Sequence, residues 1–231
     1  GTVVDEDYLD RAANNYLVSI GEGGRQVSIA SLDLSTGELR AVAYDEGERL
    51  EGVRREIQRL SPKEVLVQES LLESDREIGR YLTDGRRLMV NRFPDWDFDV
   101  ETSGEKLTAQ LGVTNLKGFG LTPETREAVR PVGVLLDYVA DTQKSLLPHI
   151  TDIVIYRDTD YLVLDETTQR NLELVRNLTD GGTQYTLLGV LDFTRTSMGA
   201  RMLKRWLLSP LTDIESIERR ASSVDTIYRN Q

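Results

Sequence analysis

Cysteine is absent from this chain of 231 residues, and histidine occurs once, at His149. The first absence removes any disulfide framework and any thiolate metal site. The second leaves a histidine-based triad or metal cluster resting on one side chain beside Pro148, where a structural hydrogen bond is the expected role. No apolar run approaches the roughly 18 residues that span a bilayer, and no secretory signal stands at the start. A cytoplasmic setting without membrane contact is therefore expected. Positive charge is scarce too: 28 Lys and Arg face 39 Asp and Glu, for a net charge of −11. The deficit falls mainly on residues 1–150, which carry 27 acidic and 18 basic side chains, against 12 and 10 in residues 151–231. A free-standing nucleic-acid binder normally presents a basic face, so the first segment should repel DNA at long range. No G-x-x-x-x-G-K-[ST] phosphate loop occurs, and nucleotide hydrolysis is not expected of this chain.

What remains, 39% hydrophobic and 29% charged residues, is the composition of folded globular protein. Tyr16–Ile20 is a short apolar run, and Gly21, Gly23 and Gly24 after it read as a hairpin turn. Gln26–Leu34 alternates Val27 and Ile29 with polar residues, and Leu39–Tyr44 supplies a third strand, so an antiparallel meander is predicted. Leu50, Val53, Ile57 and Leu60 recur at three and four and predict a helix that Ser61 and Pro62 end. Glu64–Gln68 reads as a buried strand, Leu71–Leu82 as helix, Arg87–Asn91 as a further strand, and Thr125–Ala140 as helix. That order predicts a mixed sheet covered by helices.

Helical period dominates from Asp165 onward. Asp165 is a candidate N-cap for a helix through Leu172, Val175 and Leu178 that Gly181 and Gly182 close. Thr196 can cap the next helix, whose Met198, Met202, Leu203, Trp206 and Leu207 share a face before Pro210. Asp213 can cap the last, where Ile214, Ile217, Ala221, Val224 and Tyr228 follow heptad-like spacing. This stripe runs to the end of the chain without a stop signal, so a partner is expected for it in a longer parent protein.

Three stretches carry a resemblance: LLDYVADTQKSLLPHI (Leu135–Ile150), YLVLDETTQRNLEL (Tyr161–Leu174) and LDFTRTSMGARMLKRWLLSPL (Leu191–Leu211). In order, spacing and residue choice they are similar to the middle of the MutS family of DNA mismatch-recognition ATPases. Gln169 departs slightly, standing where the family often has a basic residue. The resemblance implies residues 1–10 as a linker from a mismatch-binding domain, residues 11–145 as a connector domain of ribonuclease-H-like α/β fold, and residues 146–231 as the first part of an all-helical core or lever domain. It further implies a parent that is dimeric and uses ATP and Mg. That parent would engage mismatched DNA through the full-length protein and bind MutL. The phosphate loop and the Phe-x-Glu reading motif of such a parent are both missing here. The piece in hand is therefore expected to transmit and dock, without catalytic, cofactor or metal residues of its own. By position within the resemblance, Glu105, Lys106, Leu107 and Gln110 are expected to form an exposed loop and turn that MutL contacts.

Other residues invite chemistry and fit plainer roles. Asp95, Asp97 and Asp99 in DWDFDV copy the first three ligands of a calcium loop, but Val100 stands at the glycine position and Lys106 at the bidentate position. A solvated edge strand with Trp96 and Phe98 facing inward is expected instead. Gly118 and Gly120 predict a turn over Phe119. The alternative of a ribonuclease-H-type nuclease needs acidic groups converging on one end of the sheet. Tyr16–Ile20 has none; Asp33 fits a turn-forming role, while Glu69, Asp137 and Asp141 are its conceivable companions. Arg195, Arg201, Lys204 and Arg205 read as a solvated or ion-paired face rather than a DNA contact.

Overall fold

The computed structural model describes residues 15–84, 88–157, 161, 162, 164 and 166–229. They divide into two compact units, one ending at Arg157 and the other comprising the described residues beyond it. Residues 146–157 lie in the first unit, with Ile153–Ile155 as a strand of its sheet.

The first unit is built on a six-stranded mixed sheet. Its strands are β1 (Tyr16–Gly23), β2 (Gln26–Asp33), β3 (Leu39–Tyr44), β4 (Glu64–Gln68), β5 (Met89–Phe93) and β6 (Ile153–Ile155), in the order β5-β4-β1-β2-β3-β6. The predicted meander is present: β1 pairs antiparallel with β2, and β2 with β3. The β1–β4, β4–β5 and β3–β6 pairs are parallel. The hairpin turn is tighter than expected, with Gly23 opposite Gln26 and only Gly24 and Arg25 between them. Gly24 supplies the positive φ of +59° that this loop requires. Gly21 lies inside β1 instead, where a Cβ would come 2.4 Å from Cδ1 of Phe98. Its lack of a side chain admits an aromatic ring against the strand.

Helices cover both faces, which explains why the central strands read as nearly continuous apolar runs. Leu17, Ala30, Leu32, Ala41 and Leu66 form one buried layer with Leu107 of α4 (Val100–Leu111) and with Val132, Leu135 and Val139 of α5 (Arg130–Thr142). By the two-residue alternation of a strand, Val18, Ile20, Ile29, Val42 and Tyr44 face the other way, toward α1 (Arg49–Leu60). Tyr44 meets α1 at Gly52, where a Cβ would lie 2.4 Å from its ring. The predicted helix 71–82 is two helices, α2 (Glu69–Ser74) and α3 (Arg76–Thr83). Asp75 breaks it by turning extended and accepting the Ile78 amide at 3.2 Å as the N-cap of α3. The predicted helix from Thr125 begins as a 3-10 segment, Pro123–Val129, and becomes α-helical at Arg130.

The second unit contains α6 (Glu166–Asn171), α7 (Leu187–Leu191), α8 (Ser197–Leu208) and α9 (Ile214–Arg229). The proposed cap at Asp165 falls outside the described residues. The helix expected through Leu172, Val175 and Leu178 does not form, since α6 stops at Asn171. Glu173 takes a φ of +46°. The Asn177 side-chain oxygen then collects the amides of Thr179, Asp180 and Gly181 at 3.0, 2.9 and 3.2 Å. Local side-chain bonding of this kind competes with helix continuation. The caps predicted further on are present. Thr196 accepts from Gly199 N at 3.1 Å and Asp213 from Ser216 N at 2.8 Å. Arg220 of α9 stacks over Trp206 of α8 at 4.3 Å. The stripe of Ile214, Ile217, Val224 and Tyr228 is exposed along α9.

Among the described residues, no helix is long and apolar enough to cross a membrane.

Candidate functional site

The four residues expected at a docking surface all lie on α4, which is a regular helix rather than an exposed loop. Asp99 explains its start by accepting the Thr102 amide at 2.8 Å, and Gly112 explains its end by turning left-handed at φ +66°. Hydrogen bonds from Thr102 stabilise the ionised Asp99 carboxylate and hold its pKa below the ordinary value, with smaller help from Arg130 and Arg126. A helix imposes a different exposure pattern from a loop, and the four candidates separate accordingly. Leu107 is fully buried in the core and cannot touch a partner. The Gln110 amide nitrogen donates inward to the Leu147 and Ile150 carbonyls at 2.7 and 3.1 Å. Lys106 reaches across to Asp137 of α5 in an ion pair. Glu105 alone points to solvent, on the same side as Glu101 one turn earlier.

The segment leading into α4 also differs from expectation. Asp95–Phe98 is a 3-10 turn, not an edge strand. In a strand Trp96 and Phe98 would share a face, whereas at three residues per turn they diverge by about 120°. Phe98 goes inward against Gly21 and is completely buried. Trp96 goes outward and is 78% exposed. The turn is fastened at several points. The Asp95 carboxylate accepts from Ser70 N at 3.1 Å, Asp97 N donates to the Pro94 carbonyl at 3.1 Å, and Arg130 Nη1 donates to the Phe98 carbonyl at 2.6 Å. Because β4 and β5 run parallel with Gln68 opposite Phe93, the chain leaves both strands at the same end of the sheet. Glu69 and the Asp95–Phe98 turn therefore stand side by side there.

A buried ionic group fills the opposite layer, between β3 and α1. Glu56 is 3% exposed, accepts from the Tyr44 hydroxyl at 3.1 Å, and is paired with Arg59. Arg59 donates in turn to the Tyr156 hydroxyl at 3.0 Å, and Arg40 stacks on the Tyr156 ring at 4.6 Å. Burial alone would raise the Glu56 pKa. The Arg59 charge and hydrogen bond, with help from Tyr156 and Arg40, outweigh it and hold the carboxyl below its ordinary range. The same burial and the Glu56 charge push the Tyr156 hydroxyl far up, so it stays protonated. Elsewhere in the unit, burial and a 2.6 Å hydrogen bond to Glu64 push Tyr138 up to about 12. Glu56, Arg59 and the hydroxyls of Tyr44 and Tyr156 are satisfied by one another, which is the signature of a structural network.

The remaining candidates are dispersed. Asp33 is opposite Tyr16 at one end of the sheet and closes a turn through Ser35 N at 2.9 Å, whereas Glu69 follows β4 at the other end. Asp137 is engaged with Lys106. Among the described residues no three His, Cys, Asp or Glu side chains come together in a way that would hold a metal ion. Asp95, Asp97 and Asp99 serve the turn and the helix cap as described above. His149 is exposed, and the hydrogen bond expected of its side chain is not present among the described residues; its backbone carbonyl packs on Gly37 instead. Gly120 turns at φ +87° with Phe119 half-buried against the core. Arg201, Lys204 and Arg205 lie on α8, with Arg195 in the turn before it. Trp96, expected to face inward from an edge strand, is instead exposed, and the N-cap pattern Asp99-x-x-Thr102 was the signal that would have ended the presumed strand.

Comparison with known proteins covers both units. A family model for MutS domain II matches residues 15–151, and one for MutS domain III matches residues 167–231. The DNA mismatch repair protein MutS of Treponema denticola is 32% identical over 240 residues, an alignment that takes in all of this chain and 27% of that protein.

Proposed function

Because this chain belongs to the MutS family, we propose that it serves a mismatch-repair protein as a coupling and docking part. In this reading the α/β unit and the helical unit link the end of the protein that recognises mismatched DNA to the end that hydrolyses ATP. The α/β unit offers MutL a surface, and neither unit performs chemistry or holds a cofactor. The work takes place in the cytoplasm on full-length, dimeric protein. The antiparallel meander extended by two parallel strands on the β1 side supports a ribonuclease-H-like description of the sheet.

The observation that carries the reading is the tandem match of domains II and III, joined to an α/β unit sealed by helices on both faces. Such a body passes on a displacement as a unit, since packed interiors resist deformation. Its carboxylates are spread over both ends of the sheet and over α5, which suits a scaffold. The docking surface is the outer face of α4 with the turn before it, represented by Glu101 and Glu105, in place of the buried Leu107.

Calorimetric titration of the cognate MutL into this chain at moderate salt tests the docking arm, with Glu105→Arg alongside. Saturable binding weakened by the variant is the expected result. No heat of binding from a folded chain refutes docking and leaves mechanical coupling. The coupling arm is tested in the full-length protein by the reciprocal effect of mismatched DNA on ATP affinity.

A further inference from the structure

We infer that Trp96 is the apolar anchor of the protein-docking surface, and that the partner meets it with an apolar pocket rimmed by Lys and Arg. This rests on the docking reading above and gives it a residue and a chemistry. Trp96 is 78% exposed, against 39% for Met89 and 40% for Val154, the other exposed large apolar side chains among the described residues of the α/β unit. Indole rings are ordinarily among the most buried surfaces of a fold, and tryptophan is the residue most enriched at the energetic centres of interfaces.

Its presentation is rigid. The next aromatic, Phe98, is locked against Gly21, while Ser70 holds the Asp95 side chain and Pro94 and Arg130 fix the backbone of the turn through the bonds already given. The α4 cap at Asp99 follows immediately. A partner therefore orders little when it covers the ring, and preorganisation of this kind raises affinity.

The charge around the ring specifies what covers it. Residues 93–105 contain Asp95, Asp97, Asp99, Glu101 and Glu105 and no Lys or Arg, and Glu69 stands beside the turn. Arg126 offsets Glu101 on one side. Arg130, bonded to the Phe98 carbonyl, offsets Asp99; the acidic groups still outnumber these two arginines, so the rim disfavours phosphate and a second copy of itself and favours a basic protein surface. Leu107 adds nothing to this apolar surface, since it is turned into the core.

The test is calorimetric titration of the cognate MutL into the whole chain as wild type, Trp96→Ala and Asp97→Lys, at two salt concentrations. The Trp96 side chain is exposed, so Trp96→Ala should leave the circular dichroism spectrum unchanged. The expected result is at least about tenfold weaker binding for Trp96→Ala. Asp97→Lys should weaken binding and flatten its salt dependence. MutL binding to Trp96→Ala as tightly as to wild type overturns the inference while leaving the docking reading intact. Absence of binding to the wild type removes both. Self-association of the wild type in sedimentation that Trp96→Ala abolishes also overturns it, because the occupant is then a second copy.

Discussion

Replacing Glu56 by Gln removes one negative charge from a site where two arginines remain. The carboxylate is 3% exposed, and Arg59 is 14% exposed; Arg40 beside them is 5% exposed. Breaking a buried pair from one side costs about 3–5 kcal/mol, because the partner is left charged and poorly solvated. Gln keeps the shape and still accepts from the Tyr44 hydroxyl, and Arg59 retains some access to water. The expected loss therefore falls at the lower end, about 3 kcal/mol at neutral pH. The effect carries a pH signature as well. Since the folded pKa of Glu56 lies below its unfolded value, its contribution is complete above the ordinary carboxylate range. It is lost as pH falls through the folded value. Urea unfolding followed by near-ultraviolet circular dichroism of the buried tyrosines, at pH 7 and again in acid, reads both quantities. Wild type and variant should differ at pH 7 and converge in acid. A gap below about 1 kcal/mol at pH 7, or a gap that does not change with pH, refutes the account of this network as a charge-balanced structural unit.

Leu107→Ala should destabilise the α/β unit by about 2–5 kcal/mol in urea titrations, since the side chain is fully buried. Glu105→Ala on the same helix should stay within about 0.5 kcal/mol. Gly21→Ala places a methyl group 2.4 Å from the Phe98 ring. Overpacking of this kind costs about 1–3 kcal/mol, and displacement of the ring should shift the fluorescence of Trp96 in a Trp206→Phe background. Thr196→Ala removes the acceptor for Gly199 N, and about 1 kcal/mol of helix stability should go with it, visible as faster amide exchange in the first turn of α8.

The parts of the fold that were legible in the sequence are those where one rule acts alone. Val27 and Ile29 stand two apart because alternate residues of β2 share the face toward α1, and Val65–Val67 are continuous because helices cover both sides of β4. Thr196 and Asp213 announce their helices because a cap is a local interaction. Where two rules compete, the reading failed. Period two around Trp96 and Phe98 suggested a strand, but Pro94 and the Asp99 cap leave only one turn of chain between them, and a 3-10 turn sends the two rings in different directions. Leu107 sits among charged residues and so resembled surface; its spacing of four from Ser103, which is also buried, marks the inner face of a helix. Leu172, Val175 and Leu178 had helical spacing, but Asn177 bonds its own neighbours instead. β6 has three residues and is defined only by pairing with β3, which no local pattern contains.

The two hydrogen bonds from Gln110 to the Leu147 and Ile150 carbonyls have a mechanical meaning. They tie the last turn of α4 to the stretch that enters β6, the final strand before the chain leaves the sheet at Arg157. A pull on the exit strand along its own direction loads both bonds together with the β3 ladder in shear, so they must break at once rather than one by one. Tension applied at the exit thus reaches α4 through these bonds, and α4 is itself anchored on α5 by Ser103, Lys106 and Leu107. Gln110, which looked like a place for another protein to grip, is a rivet in the chain's own load path.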